Sequence, residues 1–541
     1  MSTTSITAQL SQKLQNQAKL DKQAGIKSLF EHDDNRVENF SFELEGIYFD
    51  LSKTHLSSEL IEHYCCHARD IGFKSRRHQL FSGVRINRSE NRSVLHTLLR
   101  DPDNQGIELE DSANIDHAKR YAKQLQDKYL DIKKHLASGS SSITNIIHVG
   151  IGGSSLGTQL LFESLSSLSE ETKIHFIGNI DAHHLSRVLL QCEVESTLVI
   201  GVSKTFGTAE TLCNIRTIGD WFAANGVSDY LSKVYAVTAN PKNAIDFGVP
   251  EQNIIRFAEW VGGRYSVWSA VSLSAILLLG MQKFEQFLAG AAAVDRYFYQ
   301  TDAAQNICFL TAALDHYYTN YWQLDSRAIF PYDYRLRSLV NYLQQLETES
   351  NGKDRQINGD NVDQKTAVVV WGGVGTEVQH SVFQMMHQGT TIIPAEFILV
   401  AKAEHKLVDH QTQLLANGVA QTAALLAGQN LQAVMNMESE TTITEQDAMA
   451  KVFAGERPST TILLDELSPY SLGALLAFYE HRTFCGGLMT NINSFDQMGV
   501  ELGKRLASQV ESILRNPDKG FAETNFDPSS IALIKKLLSK R

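Results

Sequence analysis

The alternation of apolar and polar positions changes character near Thr144. Residues 1 to about 135 read as mostly helical, whereas beyond Thr144 short apolar or β-branched runs at 145–149, 173–177, 197–202 and 233–237 are separated by helical lengths. The first of these runs leads through Gly150-Ile-Gly-Gly-Ser154 into helix-compatible sequence at 155–168. Such alternation predicts a parallel α/β sheet. The second half repeats the scheme, with a strand at 366–371, a turn at Gly372-Gly-Val-Gly375, a helix at 377–388 and a strand at 391–393. After Pro458 a strand at 460–464 leads into an apolar helix at 468–479, and residues 516–541 read as a turn and an amphipathic helix. The expected fold is α/β, with two tandem doubly wound parallel-sheet domains between helical N-terminal and C-terminal extensions. The expected boundaries are a helical segment 1–135 packing on the second domain, a smaller α/β domain 136–285, a larger one 286–510 and a tail 511–541.

With 43% hydrophobic residues among 541, the chain can bury a large core and is not a disordered sequence. Its 61 acidic against 49 basic residues give a net charge of -12, which argues against nucleic acid or an anionic membrane as partner, so an anionic ligand needs a local site. Six cysteines, two of them adjacent at Cys65 and Cys66, do not make a disulfide framework and imply a reducing compartment. Residues 1–20 lack the basic start and continuous apolar stretch of a signal peptide, and the longest apolar run, around 275–281, is too short to cross a bilayer. A soluble, cytoplasmic protein is expected.

Several segments carry candidate chemistry. Gly150, Gly152, Gly153, Ser154 and Ser155 sit where a strand becomes a helix, and exposed amides there suit a phosphate. A plain tight turn or a dinucleotide site are the alternatives. Against the dinucleotide, Ser155 stands at the third fingerprint position and Asp181 lies further on than the fingerprint acid. Ser203, Lys204, Thr205 and Thr208, at the carboxyl end of another strand, form a second anion candidate, or else a helix cap with a solvated lysine. Glu349 continues the apolar stripe Leu336, Leu339, Val340, Leu343 and Leu346 onto the buried side of a helix that Asn351-Gly352 ends. A desolvated carboxylate near a helix end suits a general base, and pairing with Lys353 or an arginine is the structural alternative. Arg264, behind two glycines, must face an anion, either a structural carboxylate or charge developing on a substrate oxygen. His387 lies in the last turn of a helix ended by Gly389, and Lys504 lies seven residues after Gln497; both types are commonly plain helix residues. His63, Cys66 and His67 are spaced like helical metal ligands but have no fourth ligand near them, and no metal is expected.

Together these segments resemble the phosphoglucose isomerase family over nearly the whole chain. The resemblance rests on Val149-Gly-Ile-Gly-Gly-Ser-Ser-Leu-Gly157, Val202-Ser-Lys-Thr-Phe206, Val261-Gly-Gly-Arg-Tyr-Ser-Val-Trp-Ser269, Glu349-Ser-Asn-Gly-Lys353, His387-Gln-Gly-Thr390 with Ile393-Pro394, and Ser494-Phe-Asp-Gln-Met-Gly-Val-Glu-Leu-Gly-Lys504. Asp50, Ser52-Lys53, Ile86-Asn87, Glu90, Arg92 and Val94-Leu-His96 extend it into the N-terminal part. Thr158, Glu396 and Met498 depart from the family's usual proline, aspartate and tryptophan. The resemblance implies sugar-isomerase (SIS) domains and interconversion of glucose 6-phosphate and fructose 6-phosphate by ring opening and metal-free proton transfer through a cis-enediol(ate), in glycolysis and gluconeogenesis, with no cofactor. By the same resemblance Glu349 moves the proton, Arg264 stabilises the enediolate, and His387 and Lys504 assist ring opening. Gly153, Ser154, Ser203, Lys204, Thr205 and Thr208 hold the phosphate, Gln497 lies beside the base, and the protein is a homodimer with shared active sites. A non-catalytic sugar-phosphate regulator and a nicotinamide-dependent sugar-phosphate dehydrogenase are the rival readings.

Overall fold

The computed structural model describes residues 3–138, 143–166, 172–437, 443–519, 521 and 525–540. The chain forms two compact units, Met1–Ser494 and Phe495–Arg541. The first is built on two sheets. Strands β1 Ser41–Leu44 and β2 Ile47–Asp50 come first, followed by β3 Asn145–Val149, β4 Lys173–Ile177, β5 Thr197–Val202, β6 Val234–Thr238 and β7 Ile254–Arg256. Strands β8 Ser326–Tyr332, β9 Val369–Gly372, β10 Ala395–Lys402 and β11 Ser459–Glu466 complete the set.

The sheet ordered β4-β3-β5-β6-β7 is parallel throughout. Every residue of β3 and β5 is buried, which parallel strands covered on both faces require. From β3 the chain turns to β4 on one side and then crosses to β5 on the other, so the direction of winding reverses between β3 and β5. Such a switch point opens a crevice at the carboxyl ends of the strands. Val149 lies opposite Gly201 there, which brings the two candidate anion loops out of the sheet side by side.

The second sheet is ordered β1-β2-β11-β10-β8-β9. Its last four strands are parallel, and it differs from the expected scheme in an antiparallel edge: β2 pairs with β1 and with β11. The segment read as mostly helical therefore also donates a hairpin, turned by Glu45 and Gly46, both at positive φ, in strands too short for a periodic signal. Strand β8 was not legible because Pro331 interrupts its apolar run and cannot donate to a ladder. The strand expected at 391–393 begins instead at Ala395, after Pro394, and β9 begins at Val369. The helix expected at 377–388 is broken, because Ser381 and Val382 leave helical φ between the turn Glu377–His380 and the helix Phe383–Gln388. The helix expected at 155–168 is a 3₁₀ turn Gly152–Ser154 followed by Leu156–Leu165, and residues 167 and 168 lie outside the described residues.

Two long helices, Met281–Gln300 and Pro469–Met489, pack backbone to backbone. A Cβ at Gly290 would lie 1.9 Å from the Tyr470 carbonyl oxygen, and one at Gly473 would lie 1.9 Å from that of Phe287. Against this pair the Arg100 guanidinium is fully buried, bonded to Glu480 and, through Nη1 at 2.6 Å, to Asp295. Trp268 Nε1 donates to the same Glu480 at 2.9 Å, and His481 Nε2 meets Asp295 at 2.6 Å. One network thus joins the N-terminal segment, the loop after β7 and both long helices. Leaving one such partner buried alone costs about 3–5 kcal/mol, so the network fixes how these parts meet.

The second unit carries a 3₁₀ turn Met498–Val500, the helix Glu501–Arg515 and the helix Pro528–Leu538, whose N-terminus is capped by Asp527. Among the described residues no helix is long and apolar enough to cross a membrane.

Candidate active site

The crevice is built first from glycines. Gly152 sits at φ +58°, which a β-carbon disfavours, and a Cβ there would lie 2.9 Å from the Gln345 amide nitrogen. A Cβ on Gly153 would lie 2.2 Å from the Gly263 carbonyl carbon and 2.6 Å from the Arg264 nitrogen. The loop after β3 and the Gly262-Gly263-Arg264 turn therefore touch backbone to backbone, joined by Ser266 Oγ donating to the Gly153 carbonyl at 3.2 Å. His148 holds the same loop from below. Its Nε2 meets the Ser154 carbonyl at 2.7 Å and must be the protonated nitrogen, leaving Nδ1 to accept from Ser274 Oγ at 2.8 Å. Burial pushes this imidazole down to about 4, so it is a neutral strut.

Arg264 is 2% exposed, and its donors are spread over separate partners. Nε donates to Ser350 Oγ at 2.6 Å, Nη2 donates to the Ser494 carbonyl at 2.6 Å, and Nη1 lies 3.6 Å from Glu349 Oε1. The other Glu349 oxygen accepts from Gln345 Nε2 at 2.8 Å. Glu349 itself is a quarter exposed, not buried as the stripe implied. The cause is local: the helix Leu339–Gln344 widens into a π turn over Gln345–Glu349. The buried stripe slips by a residue, so Leu346, Glu347 and Ser350 face inward and Glu349 stands at the rim. Lys353, the alternative partner for Glu349, instead donates to the Asn493 carbonyl.

The loop after β5 stands beside this cluster. Ser203 is buried and shares a 3.0 Å hydrogen bond with Thr208 Oγ1, and Thr205 is exposed at the tip. Phe206 takes φ 45°, an unfavourable value for a phenylalanine, held by its buried ring against Phe247. Lys204 Nζ donates to the Val261 carbonyl at 2.9 Å, so this lysine ties the second anion loop to the strip carrying Arg264. Burial, with Arg92 nearby, lowers its ammonium to about 8. From the N-terminal segment, Asn87 Nδ2 holds Glu90 at 2.8 Å and Asn87 Oδ1 accepts from Asn493 Nδ2 at 2.9 Å.

The structure thus brings together Gly153, Ser154, Ser203, Lys204, Arg264 and Glu349. His387 is elsewhere in the same unit, with Nε2 3.0 Å from Gln421 Oε1 and its ring against Phe383 and Phe453; none of these partners is shared with Arg264 or Glu349. Gln497 and Lys504 lie in the second unit, where Lys504 Nζ pairs with Glu501 at 2.9 Å. His63 pairs with Glu59 and His67 stacks on His316, and among the described residues no group of three or more His, Cys, Asp or Glu is placed to hold a metal. Sequence reading missed Gln345, Tyr265, Ser350 and the Ser494 carbonyl. Gln345, four residues before Glu349, was within reach of helical spacing. The others become visible only once the π turn and the Arg264 loop meet.

The family profile for phosphoglucose isomerase matches residues 50–534. The chain belongs to the phosphoglucose isomerase family. It is 41% identical over 514 residues to a glucose-6-phosphate isomerase of Rhizorhabdus wittichii, covering 95% of this chain and 96% of that one. It is 39% identical over 535 residues to one of Francisella tularensis subsp. holarctica, covering 96% and 98%. A solved glucose-6-phosphate isomerase from Chlamydia trachomatis superposes with a TM-score of 0.83 at 28% identity over 98% of each chain. A hypothetical protein from Thermus thermophilus shares the fold at TM-score 0.60 and 20% identity, over 86% of this chain and 99% of its own. Two of the departures from the family pattern are bonded inside the core: Thr158 Oγ1 donates to the Val271 carbonyl at 3.1 Å, and Glu396 accepts from Arg482 at 2.6 Å and from Tyr479.

The glycine contact gives a direct test. Gly153→Ala forces the two loops apart and is expected to cost about 1–3 kcal/mol in urea unfolding, the range for overpacking a close contact. A midpoint equal to the parent's would mean that the loops do not touch.

Proposed function

We propose that this chain is an aldose-ketose isomerase that interconverts glucose 6-phosphate and fructose 6-phosphate, working in the cytoplasm in glycolysis and gluconeogenesis. Family membership supports the activity. The observation that carries the mechanism is the rim carboxylate Glu349 facing Nη1 of Arg264 at 3.6 Å beside two hydroxyl-bearing loops. After ring opening, assisted by His387 and Lys504, Glu349 takes the C2 proton of the open aldose and returns it to C1. Arg264 meets the charge on the enediolate oxygens, where a fixed cation acts most strongly. Gly153, Ser154, Ser203, Lys204, Thr205 and Thr208 hold the phosphate away from the reacting carbons, so binding energy is used for orientation. Proton transfer of this kind needs no nicotinamide, which separates it from a dehydrogenase, and a regulator would bind without turnover.

His387 acts in this reading within a homodimer, in the site of the neighbouring subunit. Its separate set of partners supports that, as do apolar side chains left at the surface of its own and the adjoining helix: Met385 is 43%, Val419 55% and Val408 72% exposed.

Interconversion of the two hexose phosphates in chelator, without added nucleotide, is the basic assay. Glu349→Gln is expected to abolish it, together with exchange of the C2 proton with solvent, while fructose 6-phosphate still binds; retained exchange would remove Glu349 from the role of base. The phosphate reading adds a pH dependence. Only the charged form of Lys204 attracts phosphate, so KM stays low below pH about 8 and rises above it, toward tenfold per pH unit. In Lys204→Met this inflection should vanish and KM should be high throughout; an unchanged profile would take Lys204 out of phosphate binding. For the dimer, Glu349→Gln subunits are mixed with His387→Ala subunits under exchange. A hybrid then has one site with both lesions and one with neither, restoring activity at about a quarter of all sites. Tag pull-down confirms that hybrids form, and confirmed hybrids without activity would show that each site is built within one chain.

A further inference from the structure

Two of the three guanidinium nitrogens of Arg264 are held by short hydrogen bonds. Nη2 donates at 2.6 Å to the Ser494 carbonyl, a group that is itself immobilised because Ser494 Oγ donates to Asn351 Oδ1 at 2.7 Å and Asn351 Nδ2 donates to the Thr483 carbonyl at 2.8 Å. Nε donates at 2.6 Å to Ser350 Oγ, a hydroxyl on a fully buried residue directly after Glu349. A planar guanidinium held at two points has no remaining freedom to rotate, and its third nitrogen is thereby aimed at Glu349.

The Ser350 hydroxyl has a second partner, the Tyr265 hydroxyl, 2.9 Å away. Tyr265 is in turn held from behind, since the His96 ring stacks on it with centroids 4.8 Å apart and His96 Nε2 lies 3.4 Å from Glu480 Oε2. The hydroxyl therefore joins the helix of Glu349 to the loop of Arg264, and both to the buried Arg100 network.

We propose that Ser350 is a positioning residue of the isomerisation: its hydroxyl, backed by Tyr265, fixes the plane of the Arg264 guanidinium so that Nη1 is held where the enediolate oxygens develop charge. This rests on the isomerase reading above. Ser350 touches no reacting atom and acts through Arg264. Its loss removes the 2.6 Å acceptor of the buried Arg264 Nε–H and loosens the plane of the fork, while the phosphate loops keep their place.

The test measures steady-state kinetics with fructose 6-phosphate, together with the affinities of inorganic phosphate and of a planar hydroxamate sugar phosphate that mimics the enediolate. Ser350→Ala is expected to lower kcat about 10- to 100-fold, the range for losing one hydrogen bond to a charged group, with KM and phosphate affinity within about twofold. Affinity for the hydroxamate should fall in parallel with kcat. In the Arg264→Lys background the same substitution should add no more than about twofold, because its route of action is already gone. Tyr265→Phe should give a smaller fall in kcat with the same lack of additivity, and it carries the test if Ser350→Ala does not fold. An unchanged kcat, a loss confined to KM, or a loss that multiplies with that of Arg264→Lys overturns the assignment. A parent protein that binds phosphate but does not interconvert the sugars overturns the isomerase reading instead.

Discussion

The contact between Gly153 and Gly263 is the constraint on which the site depends. Two loops from different strands of one sheet meet with no side chain between them, and a single Cβ would lie 2.2 Å from a backbone carbon. Because they meet, backbone amides that can receive a phosphate and the loop that carries Arg264 form one surface. The parallel sheet supplies the crevice at the switch point between β3 and β5, but only the paired glycines let a cation and the strand-to-helix turn share it. The same device brings the helices Met281–Gln300 and Pro469–Met489 together at Gly290 and Gly473. In both places close backbone approach does what larger side chains would prevent.

Around that contact the charges are buried in networks, not in isolated pairs. Asp315, Glu347 and Glu396 share Arg327 and Arg482, linking β8, β10, the π turn and the helix Pro469–Met489. Burial alone would raise the Glu396 carboxyl, yet Arg482 and Arg327 outweigh it and hold it below the usual range. Burial raises that of Glu347, against the opposing pull of Arg327, which bonds it directly at 2.6 Å, and of Arg482. Desolvated charges of this kind add little net stability, but an alternative arrangement would leave one of them unpaired at a cost of about 3–5 kcal/mol. Their effect is to specify one geometry, and Glu347 applies it to the turn that carries Glu349.

Much of this was legible beforehand. The runs 145–149, 173–177 and 197–202 appear as strands with those bounds; β3 and β5, buried throughout, leave continuous apolar signals, whereas β4 at the sheet edge is only partly buried. The hairpin β1-β2 and strand β8 were not, because four-residue strands and Pro331 give no periodic signal. At the site, residue types and spacing picked out Glu349 as a candidate base and Arg264, separately, as a cation that needs an anion, and the two lie together. Burial of Glu349 was misjudged because a π turn changes the phase of a helix without changing its composition. Ser350 and the Ser494 carbonyl were illegible for a different reason: a hydroxyl and a carbonyl acquire a role only from the side chain that reaches them, and here it comes from residues far away in sequence.

How Arg264 is held also decides what it can do. Had its fork closed on Glu349 with two parallel hydrogen bonds, both carboxylate oxygens would be occupied and the charge of the cation spent within the protein. Instead two short bonds go to neutral acceptors, Ser350 Oγ and the Ser494 carbonyl, and the carboxylate stays 3.6 Å from Nη1. Neutral acceptors fix orientation without cancelling charge. Glu349 is likewise steadied by a neutral donor, Gln345, on one oxygen only. A carboxylate and a cation therefore stand next to each other without a bidentate pairing, each held by uncharged groups.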